Sequence, residues 1–239
     1  MKPDILYEDE HYVIINKPSG MLSIPDRQQS DTNSAVQWLR NTYPDLYTVH
    51  RIDRDTSGVL CFARDVETHR YTSMLFEKRD VKKKYLGIVS GVPDRMEAVL
   101  TDPIMEHPVW KGKMMIHQKQ GKPSITQYKV LESFGLFSVV EFDIQTGRTH
   151  QIRVHMQNIG HPIVCDSLYG KADGIFLSQL KRNFKLSKQE ETERPVLNRM
   201  ALHASFLSFP SASGEVIQVE APLPKVMQAF VQQCRKWLS

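Results

Sequence analysis

The polar block His50-Arg51-Ile52-Asp53-Arg54-Asp55-Thr56-Ser57-Gly58 runs without interruption into the apolar stretch Val59-Leu60-Cys61-Phe62-Ala63. Such a junction reads as a loop entering a buried strand. It sets two acids and two arginines at the lip of a core, where polar groups are costly unless paired. A carboxylate between cations is held in its ionised form and is then available as a base or a nucleophile. An Arg–Asp network that merely pins a turn is the competing reading of the same residues.

The rest of the chain frames this junction. Tyr12-Val13-Ile14-Ile15-Asn16 reads as a strand broken by Lys17-Pro18-Ser19-Gly20, because Pro-Ser-Gly cannot continue a ladder. Helices are predicted over 32–43, where Val36 and Leu39 are three apart, and over 68–77. Residues 82–89 join a basic run to a strand with Tyr85, Gly87 and Val89 on one side. Further strands are predicted over 125–131, 137–144, 202–209 and 215–220. Thr149 is placed to cap a helix bearing Ile152, Met156 and Ile159, with Gly160 as its stop. A last helix over 224–238 carries Val226, Phe230 and Cys234 on one face. Strands outnumber helices and most connections are too short for parallel crossovers. The fold class is therefore α+β, a mixed and largely antiparallel sheet with flanking helices.

Two stretches read as exposed excursions. Residues 110–129 hold five lysines (Lys111, Lys113, Lys119, Lys122 and Lys129) and no acid, with Trp110 and Tyr128 near the ends. This segment suits either a path along a phosphate backbone or a solvated hairpin. Residues 171–198 are mixed in charge and read as a loop-plus-helix insertion.

A second polar cluster, Thr146-Gly147-Arg148-Thr149-His150-Gln151-Ile152-Arg153-Val154-His155, offers a glycine before a helix start, two arginines and two histidines. This arrangement suits an anion and equally suits a helix with ordinary surface cations. A metal set drawn from His50, Asp53, His150 and His155 is disfavoured. A five-residue step turns about 140° around a helix, and the HExxH spacing that aligns two histidines is absent. No nucleotide-binding glycine motif occurs either.

Composition narrows the classes further. The 31 Lys+Arg against 27 Asp+Glu give a net charge of +4, and the sequence pI is near 8.9. This permits a nucleic-acid partner without requiring one. No apolar run has the length of a membrane span, and the acidic start of the chain is unlike a secretory peptide. Three widely spaced cysteines, Cys61, Cys165 and Cys234, give neither a disulfide framework nor a zinc site, and the expected compartment is a reducing cytoplasm.

Together these blocks resemble the RluA-type pseudouridine synthases. His50 to Gly58 is similar to the HRLDxxTSG signature, Asn16-Lys17-Pro18-Ser19-Gly20 to the NKPSG element, and Lys84-Tyr85 to the basic-plus-tyrosine motif. Thr146 to His155 resembles TGRxHQ(L/I)RxH, Gly160 to Asp166 resembles GHPIxGD, and Leu202-His203-Ala204 matches the late LHA strand. The blocks occur in family order across nearly the whole chain. Ile52 replaces the commoner leucine, and Cys165 stands where glycine is frequent.

The resemblance implies the pseudouridine synthase catalytic fold, a curved, mainly antiparallel sheet, as one catalytic domain over residues 1–239. The motifs begin at Ile5-Leu6-Tyr7, which implies a short form without the extra N-terminal RNA-binding domain that many members carry. It implies isomerisation of uridine to pseudouridine in large-subunit ribosomal RNA, transfer RNA or both, with no metal and no organic cofactor, by a cytoplasmic protein that is a monomer by default. Asp53 matches the catalytic aspartate, leaving nucleophile and base roles open. Arg153 matches the arginine that pairs with it, and Tyr85 the tyrosine that stacks on the target base. Arg51 matches an arginine that holds the target nucleotide out of the helix, an extrusion costing a few kcal/mol. Arg148, Lys84, Lys111 and Lys113 are further RNA-binding candidates. Ile152 and Leu202 are candidate apolar walls of the base pocket, or plain core. An RNA-binding factor on the same scaffold is the alternative, and the intact Asp53, Tyr85 and Arg153 set argues against it.

Overall fold

Two apolar runs, Tyr12-Val13-Ile14-Ile15 and Val59-Leu60-Cys61-Phe62-Ala63, are buried along their whole length, which requires cover on both faces of the strands they form. A computed structural model shows how that cover is arranged, describing residues 2–25, 33–171, 174–186 and 192–238. In chain order the elements begin with β1 (Asp4–Glu8), β2 (Tyr12–Lys17), α1 (Ala35–Arg40), β3 (Tyr47–Thr48), β4 (Ser57–Ala63) and α2 (Val66–Lys78). There follow β5 (Lys82–Ser90), β6 (Glu97–Leu100), β7 (Ile104–Glu106), β8 (Met114–Ile116), β9 (Thr126–Ser133), β10 (Phe137–Ile144) and α3 (Gln151–Asn158). The chain ends with β11 (Ile175–Phe176), β12 (Pro195–Leu197), β13 (Leu202–Pro210), β14 (Val216–Glu220) and α4 (Lys225–Trp237).

The chain divides into two compact units. One comprises Met1–Tyr85, Asp143–Gln145 and His203–Pro222; the other comprises Leu86–Phe142, Thr146–Leu202 and Leu223–Ser239. In the first, strands run in the order β1-β2-β4-β13, with β3 also on β4 and β14 on β13. β2 and β4 pair antiparallel from Tyr12↔Ala63 to Lys17↔Gly58. Alternation then sorts the side chains. Tyr12, Ile14, Val59 and Cys61 cluster with Leu75 of α2 and with Leu207 and Phe209. Val13, Ile15, Leu60 and Phe62 cluster with Val36 and Leu39 of α1. β13 pairs with β4 in parallel, through His203↔Ser57 and Ala204↔Gly58.

In the second unit the order is β5-β10-β9-β6, with β6 antiparallel to β9. Two small ribbons, β7–β8 and β11–β12, are also antiparallel. Ile104, Val154 and Tyr169 form a cluster there, joined by Met114 and Ile116. Phe230 of α4 meets Phe137 edge-on at 5.2 Å. The sheet is mixed and mainly antiparallel, as an α+β fold requires.

Several details differ from expectation. Within 32–43 the helix is the short α1, started by Ser34, whose side chain accepts the Gln37 N–H; Thr32 lies outside the described residues. Thr149 does not cap α3. His150 occupies the cap position with φ 55° and makes no side-chain cap bond, because Gln151 ties the preceding turn instead. On α4, Met227 and Val231 join Phe230 and Cys234 in the core, and Val226 is only partly buried. Residues 171–198 form the β11–β12 ribbon and one 3-10 turn, Leu177–Gln179, rather than a helix, among the described residues. Ribbon pairing there satisfies backbone groups that a weakly amphipathic helix would have left without a packing face.

Candidate active site

Asp53 opens a tight turn, its carbonyl accepting the Thr56 N–H at 3.2 Å, and aspartate is favoured at that position. A turn exposes carbonyls, and here the 17–23 segment satisfies them. The Ser23 hydroxyl donates to Ile52 O at 2.7 Å and accepts the Ile52 N–H at 3.1 Å. Arg54 O accepts from the Gly20 N–H at 2.9 Å and from Lys17 Nζ at 3.0 Å. Asp55 O accepts from the Ser19 hydroxyl at 2.7 Å. Lys17 is fully buried, and its ammonium also donates to Met21 O at 2.7 Å and Pro18 O at 3.1 Å. Two separate sequence blocks are thus one structural object, and its product is a fixed Asp53.

The strand side of the turn is equally constrained. Ser57 Oγ and His203 Nδ1 are 2.8 Å apart, while His203 Nε2 bonds Ala221 O at 3.2 Å. His50 accepts the Cys61 N–H on Nε2 at 3.0 Å and stacks on Phe76 at 4.8 Å. Burial, followed by the charge of Lys83, lowers its pKa to about 3, so it is a neutral structural acceptor at physiological pH. Tyr85 is partly buried in β5. Desolvation and then the negative charge of Asp53 push its pKa up from 10.0. This brings phenol and carboxylate into one electrostatic environment, in which the phenol stays protonated. Asp53 itself is partly accessible and Arg51 is exposed. The Lys84 carbonyl accepts from Ser205 Oγ at 3.2 Å.

The second unit carries the other cluster. Gln151 organises it, its Oε1 accepting from Thr146 Oγ1 at 2.7 Å and from the Arg148 N–H at 3.0 Å. Its Nε2 donates to Ile125 O and Thr126 Oγ1, both at 2.9 Å. One helical residue on, Ile152 is core, and Arg153 follows in a buried bidentate pair with Asp166, Nε–Oδ2 2.7 Å and Nη2–Oδ1 2.9 Å. Such a fork-to-carboxylate pair fixes the guanidinium plane as well as its charge. Tyr169 packs under that guanidinium at 5.0 Å, and its hydroxyl is 2.9 Å from His150 Nδ1. His155 is bonded to Thr126 Oγ1 and Asp102 O, each at 2.9 Å, and burial lowers its pKa. His50, His150 and His155 are therefore each engaged with the protein. Arg148 Nε donates to Pro123 O at 3.1 Å.

A family model described as RNA pseudouridylate synthase matches residues 11–158, a span that holds the Asp53 turn, Tyr85 and Arg153 together. The chain belongs to that family. Its members are isomerases of uridine in RNA. The ribosomal large subunit pseudouridine synthase D of Nitrosomonas europaea is 35% identical over 240 residues, covering 97% of this chain and 65% of the relative. The ribosomal large subunit pseudouridine synthase C of Escherichia coli strain K12 is 36% identical over 237 residues, covering 97% of this chain and 70% of the relative. The chain thus spans about two thirds of the length of these curated relatives. Among solved structures, human RNA pseudouridylate synthase domain containing 1 superposes with a TM-score of 0.71 at 28% identity, over 98% of this chain and 95% of that one. Human RNA pseudouridylate synthase domain containing 4 gives 0.74 at 26%, over 97% and 92%.

In this chain the first unit holds Arg51, Asp53, Lys84 and Tyr85, and joins Asp53 to Tyr85 electrostatically. The second holds Lys111, Lys113, Arg148, Ile152, Arg153 and Leu202. Ile152 and Leu202 are both buried, Lys111 is exposed and Lys113 partly so. Residues of consequence that the sequence left without a role are Lys17, Ser23, Asp166 and Tyr169. A lysine closing an apolar strand was a usable signal for the first, since burying a cation demands partners. Asp166 closes the Gly160–Asp166 motif, and nothing local distinguished Ser23 and Tyr169.

Proposed function

We propose that this chain isomerises uridine to pseudouridine in large-subunit ribosomal RNA, with Asp53 as the catalytic carboxylate. The observation that carries this reading is the Asp53 turn itself, whose neighbouring carbonyls are captured by Ser19, Gly20, Ser23 and Lys17, while burial and then the charge of its carboxylate raise the Tyr85 pKa. A scaffold that spends a buried lysine and two serines on one turn is one that fixes a reacting group. The ribosomal target follows the names of the curated relatives. Transfer RNA is the second substrate class, carried by the sequence resemblance alone.

The N1–C1′ bond of the target uridine breaks, the uracil turns over, and C5 bonds to C1′. The proton leaves C5 and N1 gains one, so the reaction balances without an oxidant or an energy source. Asp53 acts at the ribose, Arg153 is the arginine that the family resemblance assigns to the site, and Tyr85 stacks on the uracil. Stacking of a base on an aromatic ring contributes about 1–3 kcal/mol. Arg51, Lys84, Arg148, Lys111 and Lys113 hold RNA phosphates, and the extruded base rests against Ile152 and Leu202. The protein acts as a monomer in the cytoplasm, where its three buried thiols stay reduced.

Tritium release from RNA transcribed with [5-³H]uridine tests this. Wild type should release tritium from large-subunit ribosomal RNA with or without chelator, and Asp53→Ala should release none while keeping RNA affinity. No release by wild type from ribosomal or transfer RNA would overturn the reading. Release from transfer RNA alone would reassign the substrate.

A further inference from the structure

The ribbon β7–β8 ends in a tip, 107–113, that is ordered by its own bonds. His107 N–H donates to Lys113 O at 2.7 Å, Lys113 N–H to Trp110 O at 3.1 Å, and Gly112 N–H to Glu106 Oε1 at 3.0 Å. His107 Nδ1 accepts the N–H groups of both Val109 and Trp110, at 3.2 and 3.1 Å. The imidazole then stacks on the indole with centroids 4.8 Å apart and planes 16° off parallel. All this order presents apolar surface to solvent: Trp110 is 58% exposed and Val109 is 77% exposed. A large ring held in fixed geometry with more than half its surface in solvent offers a ready contact face.

Charge identifies the occupant. The tip opens the 110–129 segment with its five lysines and no acid, and the Glu106 carboxylate beside it is engaged by Gly112. Lys113 Nζ lies 4.6 Å from the indole centroid. An exposed cation–π contact is weaker than a base stacked on indole, so an incoming base displaces the ammonium, which is left beside the phosphate it can neutralise. The tip is also tied to the arginine-bearing helix. Met114 N–H donates to the Tyr169 hydroxyl at 2.7 Å, and Tyr169 lies under Arg153.

We infer that the 107–113 tip is a stacking platform for one unpaired nucleotide of the substrate RNA, distinct from the target uridine, with Trp110 as the ring and Lys111 and Lys113 on the flanking phosphates. This rests on the RNA-modifying reading above and adds a second recognition point to it. A single-stranded element is required, because a paired base has no free face to offer.

The test uses the full chain, with Trp110→Ala and Trp110→Phe, a single-stranded oligouridylate, its fully paired duplex, and the large-subunit ribosomal transcript. Single-stranded RNA should quench the wild-type tryptophan emission more than duplex, and Trp110→Phe should lose that quench. Affinity for the transcript should fall about tenfold in Trp110→Ala, the scale of one lost base stack, and less than about threefold in Trp110→Phe. Equal affinity of Trp110→Ala and wild type, or equal quenching by strand and duplex, overturns the inference. If wild type binds none of the RNAs, the RNA-modifying reading falls and takes this one with it. Binding by wild type that Trp110→Ala leaves untouched sinks the platform alone.

Discussion

Gly58 and Ala204 are register partners in the parallel β4–β13 pair, and a Cβ on Gly58 would stand 2.1 Å from the Ala204 carbonyl oxygen. The φ of +114° at Gly58 adds a conformation that L residues rarely take. The glycine of the first polar motif and the alanine of the last one are therefore a single close contact. Gly58→Ala should cost about 3 kcal/mol or more, since strand separation and strained backbone combine. Gly20→Ala is the control, with φ +83° and no atom within 4 Å of the added Cβ; it should cost only about 1–2 kcal/mol. Urea midpoints of the two variants check the difference, and equal losses would contradict it.

Lys17 is the next position of leverage. Its ammonium donates to Pro18 O, Met21 O and Arg54 O, and hydrogen bonds from charged donors contribute about 1.5–3 kcal/mol each without adding fully. Lys17→Met should therefore destabilise the chain by about 2–4 kcal/mol. It should also lower tritium release at saturating RNA more than it weakens RNA binding, because the lost bonds fix the turn that presents Asp53. A variant with full turnover would show that the lysine serves folding alone.

Asp166→Asn addresses the buried ion pair. Asp166 Oδ1 also accepts the Leu168 and Tyr169 N–H groups at 2.9 and 3.2 Å, so an amide there must turn its NH₂ towards Arg153 Nε. The result is a buried cation facing a donor. Removing one partner of such a pair costs about 3–5 kcal/mol. The double variant Arg153→Met with Asp166→Leu should recover part of that stability, yet stay inactive. Thermal or urea unfolding measures the first effect and tritium release the second.

His50 gives a pH dependence with a definite sign. Its folded-state pKa, about 3, is far below the 6.5 of an unperturbed imidazole. Between these values the unfolded chain binds a proton that the folded chain refuses. Stability is therefore full above about pH 6.5 and declines as the pH falls towards 3. One such group contributes a slope of up to about 1.4 kcal/mol per pH unit. His50→Gln, whose carbonyl can still accept the Cys61 N–H, should flatten this part of the stability curve. Urea midpoints at pH 4, 5, 6 and 7 for both proteins are the measurement, and superimposable curves would refute it.

Legibility varied with the range of the interaction. The strand at 137–144 was readable to the residue because alternation and flanking turn residues are local signals, and β2 and β4 were readable because continuous apolar runs demand burial on both faces. The start of α3 departs from its local signal: Thr149 has the chemistry of a cap, yet His150 takes the left-handed cap position, and Gln151 ties Thr146, Arg148 and Ile125 together. The 171–198 segment lacked periodicity, and its ribbon is set by pairing between residues about twenty apart. Trp110 was visible as an aromatic at the edge of a lysine-rich stretch, but its stacking on His107 depends on a tip geometry that spacing does not convey.

The sequence by itself determined where the strands lie, that polar motifs interrupt them, and which family those motifs match. The tertiary structure decided what each motif residue is bonded to. Ser23 finds Ile52 across 29 positions, Lys17 finds Arg54 across 37, and Ser57 finds His203 across 146. Burial patterning is a one-dimensional property, because apolar area is favourable to hide whatever hides it. Hydrogen bonds and ion pairs are directional and act over about 3 Å, so their partners exist only once the chain has folded.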